Sequence, residues 1–468
     1  MSDLVVANAD LGGPGLQRIR VRSGTISAVG PDLEIATGDE VLDADGGGVL
    51  PGLHDHHVHL LAAAAARSSV RLGPPEVASF DDFAWALREA ARTLRTGAWI
   101  RGVGYHESVA GPIDRDALDR IVVDRPVRVQ DRTGRQWVLN TRALEIVGLT
   151  APTGEGVEVG LDGRPTGRLS RMDVWLRDAM DQQPPSLDQV GVDAARFGVT
   201  GFTDATPCAD VASLQPLARA RSSGELRQRV CAMTAPGVIP DDRGLLEIGP
   251  TKVLLDDETL PVVDELADVF GSSHLEGRPV AVHCVTRVQL IATLTALGMA
   301  GSMPGDRIEH GALIPVDLVP ELLRLGVTVV TNPGFVFDRG DRYGLDVEPQ
   351  DQTDLYRCRS LIALGVRMAA GTDAPFGPAD PWEVMRAAVS RTTRSGALLG
   401  PDEAISAPMA LSLFLGSADR PSVPRSLVPG SPGDLCILSV PLSQALEALS
   451  ASNVAATVAG GVLIAGPL

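Results

Sequence analysis

Histidines spaced two apart, a single lysine and a late aspartate are the residues of this chain whose types and positions could do chemistry. Four of the eight histidines fall within Pro51-Gly-Leu-His-Asp-His-His-Val-His59. Alternate residues of a strand share a face, so a His-x-His pair can hold one metal ion. His57 and His59 have that spacing, and so do His54 and His56. Spacing alone leaves the register open, and His54 or His56 can instead hydrogen-bond nearby backbone. His283 and His310 each close a short run, Pro279-Val-Ala-Val and Asp306-Arg-Ile-Glu. A lone strand histidine is usually structural, but two in succession behind a histidine cluster suggest a common site. Asp373 follows Ala369-Ala-Gly-Thr and is expected at the C-terminal mouth of a strand, although an isolated Gly-Thr-Asp is most often a turn or a helix cap.

Lys252 is the only lysine, every other basic side chain being arginine. Arginine replaces lysine easily at a solvated surface but not where the amine itself reacts, because arginine stays protonated whereas a buried lysine can become neutral. A chance survivor paired with Asp256 or Asp257 is the plain alternative. Position favours chemistry, since Pro250-Thr-Lys-Val-Leu-Leu-Asp256 reads as a short buried strand that ends in a polar loop, where an α/β barrel presents its working residues.

The elements that must position these residues follow from the pattern of the chain. Its 468 residues exceed one ordinary domain and allow one large domain with smaller attachments. Hydrophobic residues make up 44% and aromatics 4%, so the core must be mostly Ala, Val and Leu. Short β-like runs broken by Gly and Asp turns fill residues 1–50, and similar runs recur at the other end, so residues 1–50 and 420–468 are expected to complete one small β-sandwich. Between them, runs such as Val199–Phe202, Thr251–Leu255, Val327–Val330 and Val366–Ala370 alternate with helical stretches, which implies βαβ units and a parallel sheet. At this length the expected fold class is α/β, a closed (β/α)8 TIM barrel built from residues 51–70 and 186–419. Residues 71–185, rich in Asp, Arg and Gly, interrupt the alternation and are expected to form an inserted lid over the barrel mouth.

A net charge of −18 and a pI near 4.9 argue against nonspecific binding to nucleic acid or anionic membrane, both of which need a positive field. Five scattered cysteines, without C-x-x-C spacing, suggest neither a disulfide frame nor a cysteine zinc knuckle. The amino terminus has no basic and apolar leader pattern, and a cytoplasmic protein is expected. The expected partner is a small-molecule substrate, with no nucleic acid and no membrane; a homo-oligomer is left open.

Taken in order, His-x-His, Lys, His, His and Asp, each on a separate candidate strand, resemble the amidohydrolase superfamily of metal-dependent hydrolases, and more closely its branch of large proteins called YtcJ-like or amidohydrolase family 3. Pro-Gly-x-x-Asp-x-His-x-His fixes the register in that resemblance, assigning His57 and His59 to metal and Asp55 to the preceding motif position. Asp306-Arg-Ile-Glu-His310-Gly, Gly371-Thr-Asp373-Ala-Pro, Asp380-Pro-Trp382 and Pro-Gly-Asp434-Leu also look like this branch, so the resemblance spans nearly the whole chain. It implies a TIM barrel with a β-sandwich from both termini and a divalent metal site at the barrel's C-terminal mouth. In members with a lysine on the fourth strand, carbon dioxide adds to the amine and the carbamate bridges two cations. The implied centre is therefore carboxylated Lys252 with two zinc ions, manganese or iron being alternatives, held by His57, His59, His283, His310, Lys252 and Asp373. The chain departs from many relatives at Gly134-Arg135-Gln136-Trp137, where they carry Gly-His before Trp, and at Gly167-Arg-Leu-Ser-Arg171, where they often show Gly-x-Leu-x-Glu. Both departures bear on the substrate and the metal arrangement.

The reaction expected is hydrolysis of a C–N bond in an amide, a cyclic amide or a related acyl compound, with Asp373 as general base and then general acid. A mononuclear deaminase of the same superfamily is the alternative, disfavoured because Cys284-Val-Thr-Arg287 follows His283 in place of the expected His-x-x-Glu. A noncatalytic scaffold is the other. Tyr105, His106, Arg135 and Trp137 in the insertion, and Arg339 and Arg342 after Thr331-Asn-Pro-Gly, are the candidate substrate contacts. Arginines there could bind a carboxylate by paired hydrogen bonds, solvated surface arginine being the plainer reading. Glu309 and Cys284, each beside a histidine, are expected on the opposite faces of their strands, the first as a structural partner.

Overall fold

Val280-Ala-Val, Ile308, Val329-Val330 and Met368-Ala-Ala are buried at successive positions, which a strand achieves only when both of its faces are covered. A computed structural model, describing residues 3–151, 154–180, 183–208, 210–238 and 244–466, places these runs in one eight-stranded parallel sheet. Its strands are β1 (Leu53–Val58), β2 (Val199–Cys208), β3 (Arg229–Thr234), β4 (Glu247–Val253), β5 (Val280–Cys284), β6 (Arg307–His310), β7 (Thr328–Thr331) and β8 (Arg367–Ala370). The sheet closes on itself just beyond β1 and β8, where Asp373 N–H donates to His57 O at 2.7 Å and His59 N–H donates to Ala374 O at 2.9 Å. Helices Val263–Leu275, Arg287–Ala300 and Val319–Leu325 return the chain between successive strands, as parallel pairing requires. The second of these starts on a capping box in which Thr286 and Gln289 satisfy each other's backbone N–H groups, so β5 turns into helix within three residues of Cys284. The fold is the (β/α)8 barrel anticipated from the alternation.

Strands from both ends of the chain pack as a sandwich. Leu4–Ala9, Gln17–Arg22, Thr25–Gly30 and Glu40–Asp43 make one sheet; Val49–Pro51, Leu435–Leu438, Val454–Ala459 and Val462–Ala465 make the other. Val6, Ile19, Val21 and Ile26 share one core with Val49, Leu435, Ile437 and Val458, each nearly inaccessible to solvent. Val49–Pro51 pairs antiparallel with Leu435–Leu438 and leads directly into β1, so the sandwich fixes where β1 begins. Strand β3 has only one valine and one threonine among its six residues, and that weak β signal hides it in the sequence.

Residues 61–185 form a second compact unit, beginning ten residues earlier than position 71. Its six-stranded mixed sheet runs in the order Val157–Val159, Pro165–Ser170, Gln136–Leu139, Val127–Asp131, Ile100–Tyr105, Val70–Arg71. Helix Phe80–Thr93, capped by Ser79, covers part of this sheet with Phe83 and Leu87. Among the described residues, no helix is long and apolar enough to cross a membrane.

Candidate metal centre

Every candidate ligand stands at the C-terminal end of a barrel strand or in the loop just after it. His57 is the penultimate residue of β1 and His59 lies one residue beyond its end, Lys252 lies near the end of β4, His283 in β5 and His310 at the end of β6, and Asp373 follows β8. This is the end at which barrel enzymes carry their chemistry. His57 Nε2 lies 3.6 Å from Asp373 Oδ1 and His59 Nε2 lies 3.3 Å from the same oxygen. The His310 ring centroid is 4.7 Å from that of His57 and 4.6 Å from that of His283. Lys252 is buried as well, and the Glu309 and Asp373 charges act on its amine. His57, His59 and Asp373 place one donor atom each within 4.8 Å of one another.

Hydrogen bonds around the cluster decide which imidazole nitrogens face inward. Asn332 Oδ1 can only accept, and Asn332 Nδ2 is committed to Gly371 O at 2.9 Å. His310 Nδ1, 2.8 Å from Asn332 Oδ1, must therefore carry the proton, which leaves Nε2 as a lone-pair donor. His57 Nδ1 is likewise held by the Glu309 carboxylate, itself paired with Arg307 Nε at 2.7 Å. His59 Nδ1 meets Thr206 Oγ1 at 3.1 Å. Such outer partners fix ring orientation and tautomer in metal sites.

The consequence is a buried arrangement that a cation would complete. His57 Nε2 is turned towards Asp373 Oδ1, and neither atom has a hydrogen-bond partner. Burial, reinforced by the Lys252 charge, holds His57 well below the usual imidazole range, and burial with the His283 charge does the same for His310. Two acceptors then face each other with no proton between them. Ligands bound tetrahedrally at about 2.0–2.1 Å stand about 3.3–3.5 Å apart, close to the 3.3 Å and 3.6 Å that separate Asp373 Oδ1 from the His59 and His57 nitrogens. Lys252 Nζ is also buried without a partner, and burial lowers its pKa towards the neutral amine. Imidazole nitrogens, a carboxylate and a buried amine gathered in one site fit divalent metal.

Two of these residues sit in the left-handed backbone region, His310 at φ 67° and Asp373 at φ 54°. Non-glycine residues there carry a local cost that the surrounding structure must override, a common feature of functional sites. The left-handed turn at His310 also corrects one expectation. Strict alternation puts Glu309 on the face away from His310, yet Glu309 is wholly buried against His57, so both side chains reach the same imidazole. Arg307, Asn332 and Thr206 are the supporting residues that ligand spacing does not reveal, and Glu309 is the structural partner expected, here of His57. Asn332 had the clearest signal, a polar residue directly after an apolar strand.

His54 and His56 take no part in the donor cluster: His54 Nε2 meets Thr203 Oγ1 at 2.9 Å, and the two rings lie 4.6 Å apart. Asp55 accepts from Thr372 N–H at 2.9 Å and from the Thr372 hydroxyl, tying β1 to the loop that carries Asp373. Burial pushes its carboxyl up to about 6. The Cys284 thiol is pushed up to about 12 by burial, which suits a structural residue rather than a nucleophile.

The candidate substrate contacts fall in both compact units. Arg339 stacks over Phe335 at 4.1 Å and donates to Phe376 O at 2.7 Å, whereas Arg342 pairs with Asp346 on its own helix at 2.6 Å. Tyr105, His106, Arg135 and Trp137 belong to the second unit. There Tyr105 donates to Gly111 O, His106 caps a short helix through Ser108, and Arg135 O accepts from Arg171 N–H at 3.0 Å. The buried Trp137 ring donates to Asp173 Oδ1 at 2.8 Å.

Comparison with known proteins identifies the family. A family model described as amidohydrolase family matches residues 40–466. The chain is 28% identical to an N-substituted formamide deformylase of Arthrobacter pascens, over 99% of this chain and 98% of that protein. In fold it is similar to the crystal structure of a metal-dependent hydrolase from Pyrococcus horikoshii, with TM-score 0.72, 21% identity, and 96% and 100% of the two chains covered. It is also similar to N-isopropylammelide isopropylaminohydrolase from Burkholderia multivorans, with TM-score 0.54, 17% identity, and 99% and 98% covered. With a family match running from the first sandwich sheet through every candidate ligand to the last strand, this chain belongs to the amidohydrolase family, whose members are metal-dependent hydrolases of C–N bonds other than peptide bonds.

Proposed function

We propose that this amidohydrolase cleaves the C–N bond of a small amide, cyclic amide or related acyl compound, with two divalent ions, zinc in the first instance, at the site built by His57, His59, Lys252, His283, His310 and Asp373. The observation that carries this reading is that His57 Nε2 and Asp373 Oδ1 stand 3.6 Å apart, both buried and neither with a hydrogen-bond partner. Bound divalent metal would supply Lewis acidity, making water acidic near neutral pH and polarising the scissile carbonyl. Asp373 takes the proton of the attacking water on its carboxylate and returns it to the departing nitrogen, so one group serves as base and then as acid. Glu309 and Asn332 keep the inward nitrogens of His57 and His310 unprotonated while this happens. In this reading the neutral Lys252 amine adds carbon dioxide, forming an N–C bond and releasing one proton, and its new carboxylate adds negative charge to a cationic centre. The deformylase relative makes N-substituted formamides the first compounds to assay.

Asp373→Asn keeps the volume but loses the proton acceptor, and is expected to fold normally with turnover reduced by about a hundredfold to ten-thousandfold. Near-normal turnover of any cleaved amide would overturn the assignment. Metal analysis should return two equivalents per chain, and labelled bicarbonate should give a carbamate resonance that Lys252→Arg abolishes. One equivalent without that resonance would favour the mononuclear alternative, and none the scaffold.

A further inference from the structure

The end of the barrel opposite the metal centre holds a cavity of about 460 Å³, room enough for a small organic molecule. Four strand starts wall it, with His54 of β1, Gly201 of β2, Arg229 of β3 and Glu247 of β4. Residues 417–431, which form no helix or strand, bring Arg420 and Arg425 to the same cavity. The candidate metal ligands all stand at the other ends of the barrel strands, so this cavity is separate from them.

Two of the three arginines keep their guanidinium forks open. Arg425 is committed, its Nε donating to Leu415 O at 3.0 Å and its Nη2 to Gly52 O. Arg229 uses only Nε, 3.2 Å from Asp434 Oδ2, and Arg420 only Nε, 3.5 Å from Asp419 Oδ2. Their terminal nitrogens have no partner among the described residues. The acids here are already engaged or solvated: Asp434 Oδ1 accepts from Gly460 N–H at 2.7 Å, Asp419 Oδ1 accepts from the Ser417 hydroxyl at 2.6 Å, and Glu247 is exposed. His54 gives an independent sign of a ligand, because it is only 7% exposed yet only one of its nitrogens is bonded. Nε2 meets Thr203 Oγ1 at 2.9 Å, and Nδ1 has no hydrogen-bond partner among the described residues. A Cβ at position 201 would lie 2.5 Å from that nitrogen, so Gly201 is what leaves it room. The Thr203 hydroxyl can donate to Nε2, which puts the ring proton on Nδ1. Burial, then the Arg425, Arg307 and Arg229 charges, holds His54 well below the usual imidazole range, so the ring is neutral and those three charges around it are positive. A buried N–H left open in a positive field is best satisfied by an anionic acceptor.

We propose that this cavity binds a small molecule bearing a phosphate, gripped by the Arg229 and Arg420 forks and by His54 Nδ1. Three separate donor groups suit the several oxygens of a phosphate better than the two of a carboxylate, and guanidinium forks meet phosphate by paired hydrogen bonds. The cavity exceeds a bare phosphate, which leaves space for the organic part of the ligand. The proposal goes beyond the amide-hydrolysis reading and does not depend on it.

Calorimetric titration of the whole metal-loaded chain with inorganic phosphate, at an ionic strength fixed with chloride, should show saturable binding. Arg229→Gln should weaken it by about tenfold or more, and Arg420→Gln by about three- to tenfold. Arg229→Lys keeps the charge but loses the fork, so its affinity should fall between those of the parent and Arg229→Gln. Acetate at the same ionic strength should bind more weakly than phosphate. Phosphate held at the metal centre would respond to none of these variants, since they lie at the other end of the barrel. Saturable binding that is unchanged in Arg229→Gln and Arg420→Gln therefore overturns the proposal, as does a preference for acetate or the absence of saturable binding. Thermal midpoints verify that the variants are folded. Should Arg229→Gln fail that control through loss of its Asp434 contact, Arg420→Gln, whose side chain is largely exposed, decides alone.

Discussion

Replacing the Glu309 carboxylate by an amide would keep its shape while changing what surrounds His57. Arg307 is buried on the same strand and donates through Nε and Nη2 to Glu309. In Glu309→Gln that guanidinium becomes an uncompensated buried charge, which costs about 3–5 kcal/mol when a buried pair is broken. The amide oxygen can still accept from His57 Nδ1, but a rotated amide would present N–H and force the wrong tautomer. Metal affinity should therefore fall about 10- to 100-fold, as measured by chelator competition, with a lower urea midpoint in the same samples. Unchanged affinity would mean that Glu309 supports Arg307 alone. The sequence made the ligand types legible because metal chemistry restricts them to His, Asp and a reactive Lys. It marked Glu309 as a structural partner but not that it holds His57, because that contact depends on the backbone turn at His310.

At the scale of elements, the meeting of β1 with the loop after β8 depends on Gly371. A methyl group built there would lie 2.5 Å from His57 N and 2.5 Å from His57 Cβ, with no flexible side chain to give way. Gly371→Ala should thus push β1 from β8, weaken both the Asp373 N–H to His57 O bond and the Asn332 bond to Gly371 O, and cost about 1–3 kcal/mol. Metal content and thermal midpoint should fall together; loss of neither would show that the closure tolerates movement. Helix Pro381–Ser390 allows a separate test of pH. Asp380 caps it by accepting from Trp382 N–H at 2.8 Å, and burial pushes its carboxyl above the usual carboxylate range, up to about 6. The folded state then holds this proton more tightly than the unfolded chain, so stability falls as pH rises from about 4 to about 6 and stays reduced above that. Asp380→Asn keeps the acceptor without the charge. Its stability relative to the parent should rise across that window, by at most about 3 kcal/mol at neutral pH, in urea titrations at several pH values. A constant difference would place the shift elsewhere. Runs such as Val280-Ala-Val and Val329-Val330 announced their strands by unbroken apolarity, whereas β3 lacked that signal and was found only by its neighbours β2 and β4.

For the whole molecule, the sandwich shows why distant ends of a sequence can be read together: incomplete sheets at both termini had no other way to bury their apolar faces. The insertion was legible only as an interruption, because its mixed sheet has its own cores and gives no signal for the barrel. The C-terminal strands can be removed in two steps that physics separates. Val462–Ala465 is an edge strand with partly exposed side chains, so a chain ending at Gly461 loses little buried surface and should stay folded with a modestly lower thermal midpoint. A chain ending at Ser450 also loses Val454–Ala459. That removes the buried Ala456 and Val458 from the shared core, leaves Leu435–Leu438 with an unpaired edge, and deletes the Thr457 hydroxyl that donates to Ala195 O at 2.6 Å on a barrel helix. Val458 alone is worth about 1.5–3 kcal/mol, and the exposed edge adds a route to aggregation, in a fold whose total stability is on the order of 5–15 kcal/mol. The longer truncation should therefore be insoluble or aggregated by size-exclusion chromatography. Should it remain monomeric and bind metal normally, the barrel would be independent of the sandwich, and β1 would owe its position to the closure around Gly371 alone.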